Sequence, residues 1–139
     1  QGTRENPYPL GSTITNDEWS ITVNSYTADA TAQVKEANMF NEDPAEGTTY
    51  ALVNLTVTRE GADEASPMFD VGVDYVTAAG NVVTRGDAFV VAPDALSDNE
   101  LFTGASATGN IALQVPADDA GVLRVKAGMF DDGVFVATS

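Results

Sequence analysis

Tyr50 to Gly61 (YALVNLTVTREG) and Thr108 to Pro116 (TGNIALQVP) decide the fold of this chain. Each alternates apolar and polar residues with a period of two, as a strand with one buried face does, and each closes on a turn or breaker residue. In the first, Ala51, Val53, Leu55 and Val57 form the inward set, while Leu52, Asn54 and Thr56 form the outward one. In the second, Ile111, Leu113 and Val115 take the inward phase. The pair marks an antiparallel β-sandwich.

The same reading extends outward in both directions. Ser12 to Thr15 is a short strand and Asn16-Asp17 a turn, after which Trp19, Ile21 and Val23 face inward against Ser20, Thr22 and Asn24. Phe69, Val71, Val73 and Tyr75 form another inward stripe between Asp70, Gly72 and Asp74, and Ala79-Gly80-Asn81 turns the chain into Val82 to Arg85. Ala88 to Ala92 reads as a shorter strand, Pro93 to Leu101 as an acidic loop, and Leu123, Val125 and Ala127 as a further stripe before a last strand in Gly133 to Thr138. Many short strands with Gly, Asn, Asp and Pro at their joints predict two packed sheets. The alternation fails only in Ala28 to Thr48, where Asp29 caps a short helix over Ala30 to Met39 and Asn41 to Gly47 (NEDPAEG) is an acidic, turn-rich loop. Residues 1–11, stiffened by Pro7 and Pro9, read as an extended N-terminal tether, and residues 12–139 as one sandwich domain.

Composition narrows the chemistry. The formal charge of −15 arises from 21 acids against six Lys and Arg, spread along the 139 residues. Such a surface repels phosphate backbones and anionic lipid, which argues against nucleic-acid partners, and it suits a secreted or salt-adapted protein. With no Cys, disulfides, thiolate nucleophiles and thiolate zinc sites are excluded. With no His, the imidazole base and the Ser-His-Asp triad go too. No apolar run approaches the ~20 residues of a transmembrane helix. Gln1 to Asn6 is polar and lacks a starting Met, so an export signal is expected upstream of it.

Three groups of residues are candidate sites. Glu42, Asp43 and Glu46 in one acidic loop and Asp94, Asp98 and Glu100 in the other would, with loop carbonyls, give Ca²⁺ its usual ~6–8 oxygens. No EF-hand spacing is present, and a solvated acidic rim is the alternative reading. Asp118-Asp119 and Asp131-Asp132 flank one strand at opposite ends and read as turn formers. Val34, Met39 and Phe40 of the long insertion form either a lid on the sandwich or, if exposed, a partner-binding patch. The sequon Asn54-Leu55-Thr56 lies in a strand and reads as sheet surface, and Lys126, sharing a face with Arg124, reads as solvent-facing.

Asn16 to Val23 (NDEWSITV), Tyr50 to Gly61 and Thr108 to Pro116, in this order and at these separations, resemble the immunoglobulin-like domains of the family domain of unknown function 4352, which are related to a small secreted mycobacterial antigen. Leu55 and Val57 stand in the V-x-V slots of that pattern, and Gly109, Ile111, Val115 and Pro116 fill its third element. The resemblance implies an all-β, immunoglobulin-like antiparallel β-sandwich with one short helical insertion. It further implies an extracellular or cell-surface protein of a Gram-positive bacterium, secreted or held as a lipoprotein by an anchor upstream. Its motif positions are core and turn residues, so it carries over no catalytic residue. The expected function is a monomeric, non-enzymatic binding domain for an extracellular protein or glycan, with no cofactor beyond Ca²⁺ at the acidic loops. The alternatives are a glycosidase-type enzyme using paired carboxylates and a structural surface spacer with Ca²⁺ in those loops. Against the enzyme, the single Trp, Trp19, lies on an inward phase and is not free to stack on sugar.

Overall fold

A computed structural model of the protein describes all 139 residues. The strands are β1 (Thr13–Thr15), β2 (Trp19–Thr27), β3 (Thr48–Arg59), β4 (Val71–Val76), β5 (Val82–Val83), β6 (Ser106–Pro116), β7 (Val122–Ala127) and β8 (Val134–Val136). Helix α1 (Thr31–Ala37) lies between β2 and β3, and the single turn α2 (Pro67–Asp70) leads into β4. Two four-stranded antiparallel sheets form, ordered β1-β2-β3-β6 and β5-β4-β7-β8. This is the expected all-β sandwich. Its first sheet keeps β2 beside the next strand in sequence, β3, with β6 outside it. No helix is long and apolar enough to cross a membrane.

The inward stripes become the core. Trp19, Ile21 and Val23 of β2, Ala51 to Val57 in alternation on β3, and Ile111, Leu113 and Val115 on β6 pack against Val71, Val73 and Tyr75 of β4 and Leu123, Val125 and Ala127 of β7. One irregularity adds to that core. β2 pairs Val23 with Leu55 but Ser25 with Asn54, so Asn24 is an extra residue. The bulge reverses the phase beyond it and turns Tyr26 toward the interior, where its ring stacks on Tyr75 at 6.0 Å and 9°. Burial pushes the Tyr26 phenol up to about 12, with the Asp119 charge adding to the effect.

The outward face of the first sheet is hydroxyl and amide. Thr13 meets Thr22 at 2.7 Å, Thr56 meets Thr108 at 2.8 Å and Thr58 meets Ser106 at 2.6 Å. The Asn24 amide donates to Asn54 Oδ1, Asn54 donates to Asn110 Oδ1, and Asn110 donates to the Pro93 carbonyl. The sequon amide is thus engaged within the sheet. The same chain of amides fastens the 93–96 segment to the edge of β6.

That segment is the reason for a glycine. Leu96 is fully buried in the core, and a Cβ on Gly109 would lie 2.5 Å from the Leu96 Cα. Only a bare backbone at Gly109 lets the loop cross this closely.

Four expectations are corrected. Ala88 to Ala92 forms no strand, because Thr84 and Asp87 close a capped 3₁₀ turn just before it and the chain there crosses the edge of β6, pairing only at Ala95 with Asn110. Phe69 belongs to α2 and is 74% exposed, since the helical turn after Pro67 breaks the period of two. The helix spans Thr31 to Ala37, shorter than the expected Ala30 to Met39; Asp29 Oδ1 accepts the Thr31 N–H at 3.1 Å and Asn38 returns the chain to extended backbone. The segment read as a tether is docked: Tyr8 bridges Val136 in parallel, its N–H donates to Phe135 O, and Arg4 Nη2 donates to the carbonyls of Thr77 and Ala78.

Candidate functional site

The antiparallel order brings the start of β2, the end of β3, the start of β4 and the end of β7 to one end of the sandwich. β3 continues its inward phase by one step past Val57, to Arg59, which is therefore buried, with 5% of its surface exposed. A guanidinium cannot shed its charge, so burial requires partners on every side. Arg59 Nε donates to Asp63 O at 2.8 Å and Nη1 to Glu18 O at 3.1 Å. The same Nη1 lies 3.1 Å from Glu18 Oε2 and 3.7 Å from Asp70 Oδ2, and Arg59 Cζ stands 5.0 Å from the Trp19 ring centroid. Trp19 Nε1 donates to Asp70 Oδ2 at 2.5 Å, and Asp70 Oδ1 accepts the Met129 N–H at 3.1 Å. Asn16 ties the ends of β2 and β7 together, its oxygen accepting from the Glu18 and Trp19 N–H groups while its amide donates to Ala127 O.

Above this floor opens a cleft of about 780 Å³. Five acids line it, Asp17, Glu18, Asp70, Glu100 and Asp131, against the single base Arg59. Phe69, Met129 and Phe130 also line it, with 74%, 65% and 96% of their surfaces exposed. Large apolar side chains left in water around a negative cleft are a feature that folding does not account for, and these three, unlike the exposed Met39, Phe40, Phe89 and Phe102, gather around carboxylates in one cleft. Asp131 has a structural task in holding the rim, accepting the N–H groups of Ala127 and Gly133 through Oδ2.

A second, smaller pocket of about 210 Å³ lies between the edge of β6 and the 85–95 segment. Its lining is apolar except for Arg85 and Asn110. Arg85 Nη2 donates to the Met68 carbonyl, while Nη1 is buried with no partner. Burial pushes the Arg85 guanidinium below its ordinary range, and the Asp74 carboxylate opposes that shift.

The acids expected to hold Ca²⁺ do not assemble, and no group of three His, Cys, Asp or Glu anywhere in the structure is placed to hold a metal ion. The reason is topological. Glu42, Asp43 and Glu46 precede β3 and Asp98 and Glu100 lead toward β6, its antiparallel neighbour, so the two loops leave opposite ends of a strand pair ~36 Å long. Asp43 pairs with Lys35 at 2.6 Å; Asp98 offers its carbonyl to Ser66; Glu100 lines the end cleft; Asp94 sits midway along β6. Asp118-Asp119 and Asp131-Asp132 do lie at opposite ends of β7, and Asp119 Oδ2 accepts both the Tyr75 hydroxyl and the Ala78 N–H.

Val34, Met39 and Phe40 do not form one patch. Val34 is fully buried and secures α1, whereas Met39 and Phe40 are 86% and 83% exposed on the following turn. Asn41 anchors that turn, donating to Val34 O and Val91 O and accepting the Val91 N–H. The cleft residues Arg59, Phe69, Met129 and Phe130 were not among the sequence candidates. Arg59 carried a readable signal, since it stands on the inward phase of β3; Phe69, Met129 and Phe130 carried none, because their role depends on which loops share an end.

The fold and this site define a small β-sandwich with an acidic, aromatic-rimmed end cleft. Solved structures share the architecture. An uncharacterised β-sandwich protein from Clostridium difficile superposes with a TM-score of 0.59 at 12% identity, over 96% of this chain and 95% of its own. A secreted protein from Mycobacterium tuberculosis does so with a TM-score of 0.60 at 16% identity, over 95% and 98%. A Bacillus subtilis candidate lipoprotein matches with a TM-score of 0.58 at 13% identity over 87% of this chain, which spans 35% of that protein. None of the three is named as an enzyme. No protein-family model matches the chain, and no curated protein matches it.

Proposed function

We propose that the protein is a non-enzymatic binding domain of the immunoglobulin-like domain of unknown function 4352 type, exported by a Gram-positive bacterium and either secreted or lipid-anchored at its surface. The secreted and lipoprotein neighbours and the ordered strand motifs support that assignment. The end cleft is its contact surface, and the occupant is an extended, cationic protein segment that also carries apolar side chains. The observation that carries this reading is the placement of exposed Phe69, Met129 and Phe130 around five carboxylates. The carboxylates attract Lys and Arg, and the apolar rim gives affinity once they arrive. The paired-carboxylate enzyme is the weaker alternative, because three of the five cleft acids serve the fold: Asp70 accepts from Trp19 Nε1 and the Met129 N–H, Glu18 faces Arg59, and Asp131 accepts the Ala127 and Gly133 N–H groups.

Trp19, the only Trp, lies beneath the cleft and reports on its occupation. A peptide alternating Lys and Phe is expected to change Trp19 fluorescence saturably, with an affinity that falls as NaCl rises. Its Glu-Phe counterpart is expected to leave the signal unchanged. Phe130→Ser should remove the response while leaving the circular dichroism spectrum intact. Equal responses to both peptides, or an unaltered response in Phe130→Ser, would overturn the assignment of the cleft.

A further inference from the structure

The pocket beside β6 holds hydrogen-bonding capacity that nothing in the protein uses. Asn110 directs its backbone outward, its N–H donating to Asp94 O at 2.9 Å and its carbonyl accepting from the Leu96 N–H at 3.0 Å. In an antiparallel ladder the residues that bond away from one neighbour recur at every second position. Ala112 is therefore the next to present its N–H and C=O to this edge, opposite Leu52 in the register. The covering segment has by then left the strand, and no hydrogen bond of the protein reaches the Ala112 backbone there. Arg85 closes the pocket from the other side with its buried, partnerless Nη1. Asp74, the nearby acid, is committed to Arg124 at 2.8 Å. A buried cationic donor and an open strand edge, both lining one apolar cavity, are groups that a folded protein leaves unpaired only where something else completes them.

We infer that this pocket binds a small organic carboxylate with a short apolar body, the carboxylate pairing with Arg85 Nη1 and the Ala112 N–H, the body lying on Met68, Val90 and Val91. Charge fixes the head group, since a guanidinium offers donors and no acceptor. Size fixes the body: 210 Å³ is below the ~300–1,000 Å³ of sites for drug-sized ligands, which limits the occupant to a short chain or a single ring. Long-chain fatty acids and peptides are too large. The site is independent of the end cleft, because it shares no lining residue with it.

The test is amide NMR on the whole chain, titrated with hexanoate and, separately, with hexanol and hexylamine at the same concentrations and pH. Hexanoate should shift the Ala112 amide and the Arg85 Nε–H resonance saturably, with hexanol binding about tenfold more weakly, as the loss of charge-assisted hydrogen bonds implies. Hexylamine should not shift them at all. Arg85→Met should bring hexanoate down to the level of hexanol. Equal binding of hexanoate and hexanol would reduce the pocket to a greasy cavity, and an absence of shifts at Ala112 would mean that water satisfies Arg85; either result overturns the inference without recourse to a variant.

Discussion

Arg59 and Arg85 are both guanidiniums drawn into an acidic sandwich, and they end in opposite states. Arg59 is surrounded: two backbone carbonyls, two carboxylates and the face of Trp19 meet it. Arg85 has one carbonyl for Nη2 and nothing for Nη1. The saturated arginine is structural. It fixes the floor of the end cleft, and whatever binds there must use the rim. The unsaturated one sits in a small pocket where its own donor is the means of recognition. Burial of a charge therefore does not by itself mark a site; the unused donor does.

Removing Arg59 tests the first half of that comparison and carries the largest expected effect. Arg59→Ala leaves Asp70 beside Trp19 without its cation and opens a void behind β3. A loss of about 3 kcal/mol is expected, at the low end for breaking a buried pair because Glu18 is still half in water. Thermal unfolding should then fall by roughly 10 °C for a domain of this size. A drop of only a degree or two would mean that the Glu18 and Asp70 contacts are replaceable by solvent.

The next test separates the two regions. Gly109→Val places side-chain atoms where the Leu96 backbone passes, and something must move. The expected cost is about 2 kcal/mol, in the range of overpacked cores. The displacement should stay local, shifting amides from Asp94 to Ala112 while those of Asn16, Trp19 and Met129 hold their positions. Shifts at both ends would show that the Arg85 pocket and the Arg59 cleft are one mechanical unit.

Much of this contrast was legible beforehand, and the remainder has definite causes. Every inward residue read on β3 and β6 is buried because period two is a local property, set by each strand alone, whereas Tyr50 and Ala112 on the outward phase are covered only by other segments of the chain. The Asn24 bulge was not legible: an extra residue leaves no mark in composition, although Tyr26 on the outward phase was a hint that the phase must change. The Ala88 to Ala92 run was apolar for a different reason, lying over a sheet edge and lining the Arg85 pocket at Ala88, Val90, Val91 and Ala92. The separation of the acidic loops followed from strand direction, since loops that precede two antiparallel neighbours must leave at opposite ends. Arg85 could not be singled out at all, because an unpaired Nη1 is a property of packing between segments distant in sequence.

Arg85→Met is expected to have the smallest effect and to be the most informative. Met has a similar length and an unbranched, adaptable stem, so the pocket should stay filled. The variant loses the bond to the Met68 carbonyl but also removes a buried donor that had no partner, and the two contributions oppose each other. The midpoint in urea should therefore move by less than about 0.5 kcal/mol in equivalent stability, with the slope unchanged. A loss near that of Arg59→Ala would mean that Arg85 is held as firmly as Arg59, and that both arginines serve the fold. A small change would leave Arg85 as a residue whose charge is retained against its own burial, which is what a carboxylate-binding pocket requires.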